Sequence, residues 1–222
     1  LNVRSAAAAA AVALLGVALA GCAYEIGYRP DYVPDQAPGY IAEGKLLIIM
    51  PEAQQQFVYE GPPSSRAGDF TKLTVPLGNI VREIATDVFA QCFAYGVEFV
   101  ESAAGRDDYV LALAGDMEDF VYSYTRVVDA GFNAEAADVW TVPEVSISFH
   151  VRGFNKSGML VLDKIYDSGV TAGEGYLVTS KPAERINRTL HATLHSLMLK
   201  LAADVRPLLL NECRVTDAAG GA

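Results

Sequence analysis

Val145-Ser146-Ile147-Ser148-Phe149-His150-Val151-Arg152 alternates apolar and polar side chains without a break, and this alternation sets the architecture. Successive side chains of a strand point to opposite faces, so a period of two marks a strand with one face on a core and the other in water. Asn155-Lys156-Ser157-Gly158 supplies turn residues, and Met159 to Ser168 returns as the antiparallel neighbour. A sheet with one dry face needs a covering layer. That layer is helical: from Ser180 to about Val205, the residues Ile186, Leu190, Leu194, Leu197, Leu201 and Val205 form an apolar stripe, and Ser180, Pro182 and Glu184 give a helix start. Asn79 to Tyr95 repeats the pattern with Ile80, Ile84, Val88 and Cys92, widened by Val81, Phe89 and Phe93, and Gly96 supplies the stop.

Further strands follow from shorter signals. Lys45 to Met50 is a continuous apolar run stopped by Pro51, the pattern of a central strand buried on both faces. Gln56 to Glu60 and Lys72 to Val75 flank Gly61-Pro62-Pro63-Ser64-Ser65, a loose hairpin with an exposed tip. Val97 to Glu101, Tyr109 to Ala114 and Phe120 to Val128 are three more strands, and residues 129 to 141, with the single tryptophan Trp140, read as a connecting loop. The expected fold is α+β: an antiparallel or mixed sheet of about five to six strands, with two amphipathic helices packed on one face.

The start of the chain has a different character. Arg4 precedes an alanine-rich run from Ala6 to Ala20, the charged and apolar regions of an export signal. A spanning helix needs about 20 predominantly apolar residues, and this run is shorter and broken by Gly16. Leu19-Ala20-Gly21-Cys22 closes the run and resembles the lipobox of bacterial lipoproteins. The resemblance implies that residues 1–21 are a signal peptide, with Leu19, Ala20 and Gly21 read by the signal peptidase. Cys22 would then be the acylated first residue of the mature chain, held at the membrane through its lipid, since two or more acyl chains anchor stably. Ala23 follows the cysteine, where an Asp would favour inner-membrane retention, so the inner leaflet of the outer membrane is the expected address. The opening Leu1 points to a non-ATG start codon or a slightly truncated fragment.

Residues 22–43 carry Pro30, Pro34 and Pro38 among Tyr24, Tyr28, Tyr32 and Tyr40, an extended tether whose tyrosines either contact a partner or, by default, pack along the domain's own surface. A single α+β domain is expected over 44–213, and a disordered tail over 214–222. The chain has 17 Lys plus Arg against 27 Asp plus Glu, a formal charge of −10. Such an acidic body argues against a nucleic-acid partner and against docking on anionic lipid by charge.

Chemistry-bearing motifs are sparse. With Cys22 acylated, Cys92 and Cys213 remain, an even number that permits a disulfide in an oxidising compartment; alternatively Cys92 is a small buried hydrophobe and Cys213 an unpaired tail residue. His191 and His195 stand four apart, a spacing able to hold zinc or copper. No acidic or cysteine ligand accompanies them and the apolar stripe lies on other positions, so they are expected at the surface and no metal is expected. Asp116, Glu118 and Asp119 lack calcium-loop spacing and read as a solvated turn. No Gly-x-Ser-x-Gly elbow occurs, and Gly173-Glu174-Gly175 is too short to cradle a phosphate. The expectation is therefore a protein that is not an enzyme and uses no cofactor.

The lipobox, the strand Leu47 to Pro51, the helix–strand unit Leu77 to Val100, the 145–168 hairpin and the closing amphipathic helix together resemble YajG-type lipoproteins and the related auxiliary lipoproteins of ABC transporters, over about residues 44–206. The resemblance implies a non-enzymatic binding or scaffolding subunit with an envelope protein partner, in lipid transport or outer-membrane maintenance. The free sheet face or edge and the 52–70 loop would be its contact surface. The alternative is a periplasmic lipoprotein that binds a small ligand or metal.

Overall fold

The computed structural model describes residues 23–65, 72–129, 138–177 and 182–217. Its centre is a mixed sheet of seven strands. The strand β3 (Leu46–Ile49) is the apolar run of the sequence, and it lies parallel to both neighbours, β6 (Val97–Val100) on one side and β7 (Leu111–Asp129) on the other. From β7 the sheet continues antiparallel through β8 (Asp138–Asn155) to β9 (Leu160–Asp167). Two-residue strands β10 (Thr171–Ala172) and β11 (Tyr176–Leu177) pair with the earlier part of β8. These two account for the count exceeding five or six.

Val145, Ile147, Phe149 and Val151 are buried while Arg152 is exposed, so the alternation carries through. The loop expected over 129–141 is shorter than the sequence suggests. β7 absorbs both expected strands 109–114 and 120–128, and β8 begins at Asp138, which makes a hairpin of 19 and 18 residues. A bulge between Met117 and Asp119 lets β7 run on without reversing. Asp116, Glu118 and Asp119 therefore sit within a strand and not on a turn.

Both expected helices form: α2 (Leu77–Ala90) and α3 (Pro182–Leu209), preceded by a short α1 (Glu52–Gln55) that the sequence does not announce. Every stripe residue of α3 named above is buried, as are Ile80, Ile84 and Val88 of α2. Full burial of each such side chain contributes on the order of 1.5–3 kcal/mol, an upper bound. Pro207 lies in the last turn of α3 and does not end it at Val205. The two helices pack on one another and on one sheet face, where Leu46, Leu111, Leu113 and Ile147 complete the main core. On the opposite face Leu47 and Ala112 are covered by Tyr109 and Ala103 from the connection between β6 and β7.

The segment expected as a tether packs on the body over its described part. β1 (Ala23–Glu25) runs parallel to β5 (Lys72–Val75), which also pairs antiparallel with β4 (Tyr59–Gly61), the expected hairpin. A 3-10 turn follows at Pro30–Tyr32, and β2 (Tyr40–Ala42) pairs with β12 (Val215–Asp217). Ile26 and Tyr40 are buried, and the Tyr40 hydroxyl donates to the Ala202 carbonyl at 2.9 Å. Apolar anchors this far apart leave no period in the sequence. The tail is likewise ordered through Asp217.

Candidate functional site

Where sheet and helices meet, the side chains do not fill the space. On β7 the row facing the helices reads Leu111, Leu113, Gly115, Met117, and Gly115 lies opposite Val151 of β8. A Cβ built on Gly115 would meet nothing within 4 Å. A glycine inside a strand weakens it, and it often marks the close approach of a ligand. Facing this row, α2 presents Leu77, Val81, Ala85 and Phe89 at four-residue spacing, with Ala85 as the small member. Together they leave an apolar cavity of about 340 Å³, within the usual size range of small-molecule sites. Leu197, Met198 and Leu201 of α3 close its far side, and Tyr166 of β9 and Phe99 of β6 mark its lateral ends.

The rim is formed by α1 and the chain after it. Ala53 and Phe57 line the cavity and are exposed, as Met117 is in part. Leu77, Leu113 and Val151 are buried deep inside. Polar lining groups are few and already bonded. Gln54 Nε2 donates to Asp116 Oδ1 at 3.0 Å, and Arg152 Nη2 donates to Asp116 Oδ2 at 2.8 Å. The Tyr166 hydroxyl donates to Asp204 Oδ2 at 2.8 Å, and burial followed by this bond raises its pKa. Lys164, also bonded to Asp204, lowers the pKa of that carboxyl. Three of the chain's four methionines, Met50, Met117 and Met198, line the cavity, and methionine adapts its shape to varied apolar guests.

The residues singled out in the sequence lie elsewhere. Leu19, Ala20, Gly21 and Cys22 fall outside the described residues. Of the 52–70 loop, residues 52–57 form the cavity rim, and 66–71 lie outside the described residues. Cys92 and Cys213 are free thiols, one buried and one half-buried. Burial pushes the Cys92 pKa up to about 12.

His191 and His195 are not surface residues: they are 0% and 3% exposed, because residues 26–40 cover the side of α3 that the stripe leaves open. His191 Nε2 accepts the Arg29 N–H at 2.9 Å while Nδ1 lies 2.8 Å from the Asn187 carbonyl. Tyr28 stacks on its ring and Tyr32 meets it edge-on. Burial lowers the pKa of both histidines, and among the described residues no group of three or more His, Cys, Asp or Glu is placed to hold a metal ion. The cavity escaped the sequence reading, because Gly115 falls between the expected strands 109–114 and 120–128, where a glycine reads as part of a turn.

Fold and site together define a two-layer α+β domain with an apolar cavity between its layers. No family model matches the chain, and no curated protein matches it in sequence. Among solved structures, a neuraminyllactose-binding hemagglutinin homolog from Helicobacter pylori is similar, with 11% identity and a TM-score of 0.44 over 83% of this chain and 95% of that one. A minor lipoprotein from Acinetobacter baumannii matches with 10% identity and a TM-score of 0.33 over 78% of this chain and 97% of that one. A PelC dodecamer from Paraburkholderia phytofirmans gives 15% identity and a TM-score of 0.26 over 73% and 93%. At these TM-scores the likenesses carry no argument about ligand or partner.

Proposed function

We propose that this chain is a lipid-anchored envelope protein that works by binding a small apolar molecule and not by catalysis. The observation that carries this reading is the 340 Å³ cavity, whose few polar lining groups are engaged with one another or with Asp204. Anchoring rests on Leu19-Ala20-Gly21-Cys22, and the YajG-type resemblance favours a setting in ABC-type lipid transport or outer-membrane maintenance, at the inner leaflet of the outer membrane, with an envelope protein partner. Because Ala23 already belongs to β1, an acylated Cys22 holds the body directly against the lipid surface. Among the described residues no helix is long and apolar enough to cross a membrane.

Two measurements test the two halves. The Cys22→Ser protein leaves the membrane fraction, and persistence there with normal signal cleavage would overturn the anchoring. N-phenyl-1-naphthylamine, an apolar fluorescent probe, gains fluorescence on the Cys22→Ser full chain and saturates at one site. A flat titration would overturn the binding reading.

A further inference from the structure

The shape of the cavity narrows the class of its occupant. Its lining crosses the sheet from Phe99 on β6 through Ile48 on β3, Gly115 on β7 and Val151 on β8 to Tyr166 on β9. Four inter-strand spacings of about 4.8 Å make this path ~19 Å long. Spread along that path, a cavity of 340 Å³ is long and narrow, a shape that suits an extended hydrocarbon chain better than a compact ligand. Length sets an upper bound on size and volume a working value. An extended chain advances about 1.2 Å per bond, so ~19 Å takes at most roughly seventeen carbons. An apolar cavity of about 150 Å³ takes one benzene, which scales to roughly fourteen carbons here.

The rim selects against one kind of head group. Asp116 is already neutralised by Arg152, so no unpaired cation is offered by that pair. Glu52, Glu118 and Asp119, all exposed, stand within two residues of the lining residues Ala53 and Met117. A carboxylate head at this mouth meets like charge.

We propose that the cavity holds a single unbranched aliphatic chain of about fourteen carbons, its neutral or zwitterionic head at the rim formed by Gln54, Phe57 and Asp116. This deepens the binding reading above and rests on it. Monoacylglycerols and lysophosphatidylcholines share this chemistry, and fatty acids differ only in the head.

The test is calorimetric titration of the detergent-free Cys22→Ser full chain with monoacylglycerols, lysophosphatidylcholines and fatty acids of eight to eighteen carbons, below their micelle thresholds. Affinity rises about fourfold per methylene up to about fourteen carbons and then levels off. At low salt the fatty acid of equal length binds at least tenfold more weakly, and added salt narrows that gap. Gly115→Leu places its side chain in the empty space and weakens the fourteen-carbon ligands at least tenfold, and Gly115→Ala does so to a smaller degree. Circular dichroism establishes that both variants fold. Binding of the naphthylamine probe with no dependence on chain length, or equal binding of a sterol, overturns the single-chain assignment alone. Tighter binding of the fatty acid overturns the head-group assignment. Failure of the probe and of the whole series overturns the cavity as a binding site.

Discussion

The buried histidines give the protein a stability that depends on pH in a calculable way. His191 accepts the Arg29 N–H through Nε2, which requires that nitrogen to be unprotonated. His195 is buried beside it on the same helix face. For both, burial outweighs the opposing contributions, a backbone bond from Asn187 with Asp31 for His191 and one from Gln36 with Asp87 for His195. Their folded pKa values thus lie below the ordinary 6.5. The stability they contribute is complete above pH 6.5 and is lost as pH falls toward the folded pKa, because the unfolded chain then binds protons that the folded chain does not. Inside that window each histidine costs about 1.4 kcal/mol per pH unit, and the pair about 2.7. Urea unfolding followed by the fluorescence of Trp140 at pH 7.5, 6.5, 5.5 and 5.0 reads this directly, with a His191→Gln, His195→Gln protein as the control whose slope is flatter. Unchanged stability from pH 7.5 to 5.0, or an equal slope in the control, would refute the reasoning.

Two further outcomes follow from close packing and from burial. A Cβ on Gly78 would lie 2.0 Å from the Gln54 carbonyl oxygen and 2.6 Å from that of Gln55. Gly78→Ala is therefore destabilising by about 1–3 kcal/mol although alanine is the better helix former by ~1 kcal/mol, and amides of 52–57 exchange faster; a gain in stability would contradict this. In the Cys22→Ser protein, a thiol reagent labels Cys213 in the native state and Cys92 only in denaturant, and absence of labelling in denaturant would instead reveal a disulfide.

Much of the fold was legible where burial imposes a period. The alternation of 145–152 and the stripe of 186–205 each reflect one continuous dry face, so the sheet, both long helices and their layering could be read. Residues 23–43 were not legible as structure, since Ile26 and Tyr40 are held at isolated points and Arg29 by its backbone alone. His191 and His195 were misplaced for the same reason: a helix face covered by an aperiodic segment looks in sequence like a face covered by water. The cavity is still harder to read, because it depends on a missing side chain at Gly115 and a short one at Ala85, residues distant in sequence that only the tertiary fold brings into one space. The resemblance of Leu19-Ala20-Gly21-Cys22 to a lipobox, by contrast, rests on the sequence alone.

Methionine methyl resonances offer the most direct test of the cavity as the binding site. Met50, Met117 and Met198 line it, whereas Met159 stands 60% exposed beside the turn between β8 and β9. On titration of selectively methyl-labelled Cys22→Ser protein with N-phenyl-1-naphthylamine, the first three resonances shift together along one saturation curve and Met159 stays in place. Saturable probe fluorescence with those three resonances unmoved would contradict the assignment of the cavity as the site.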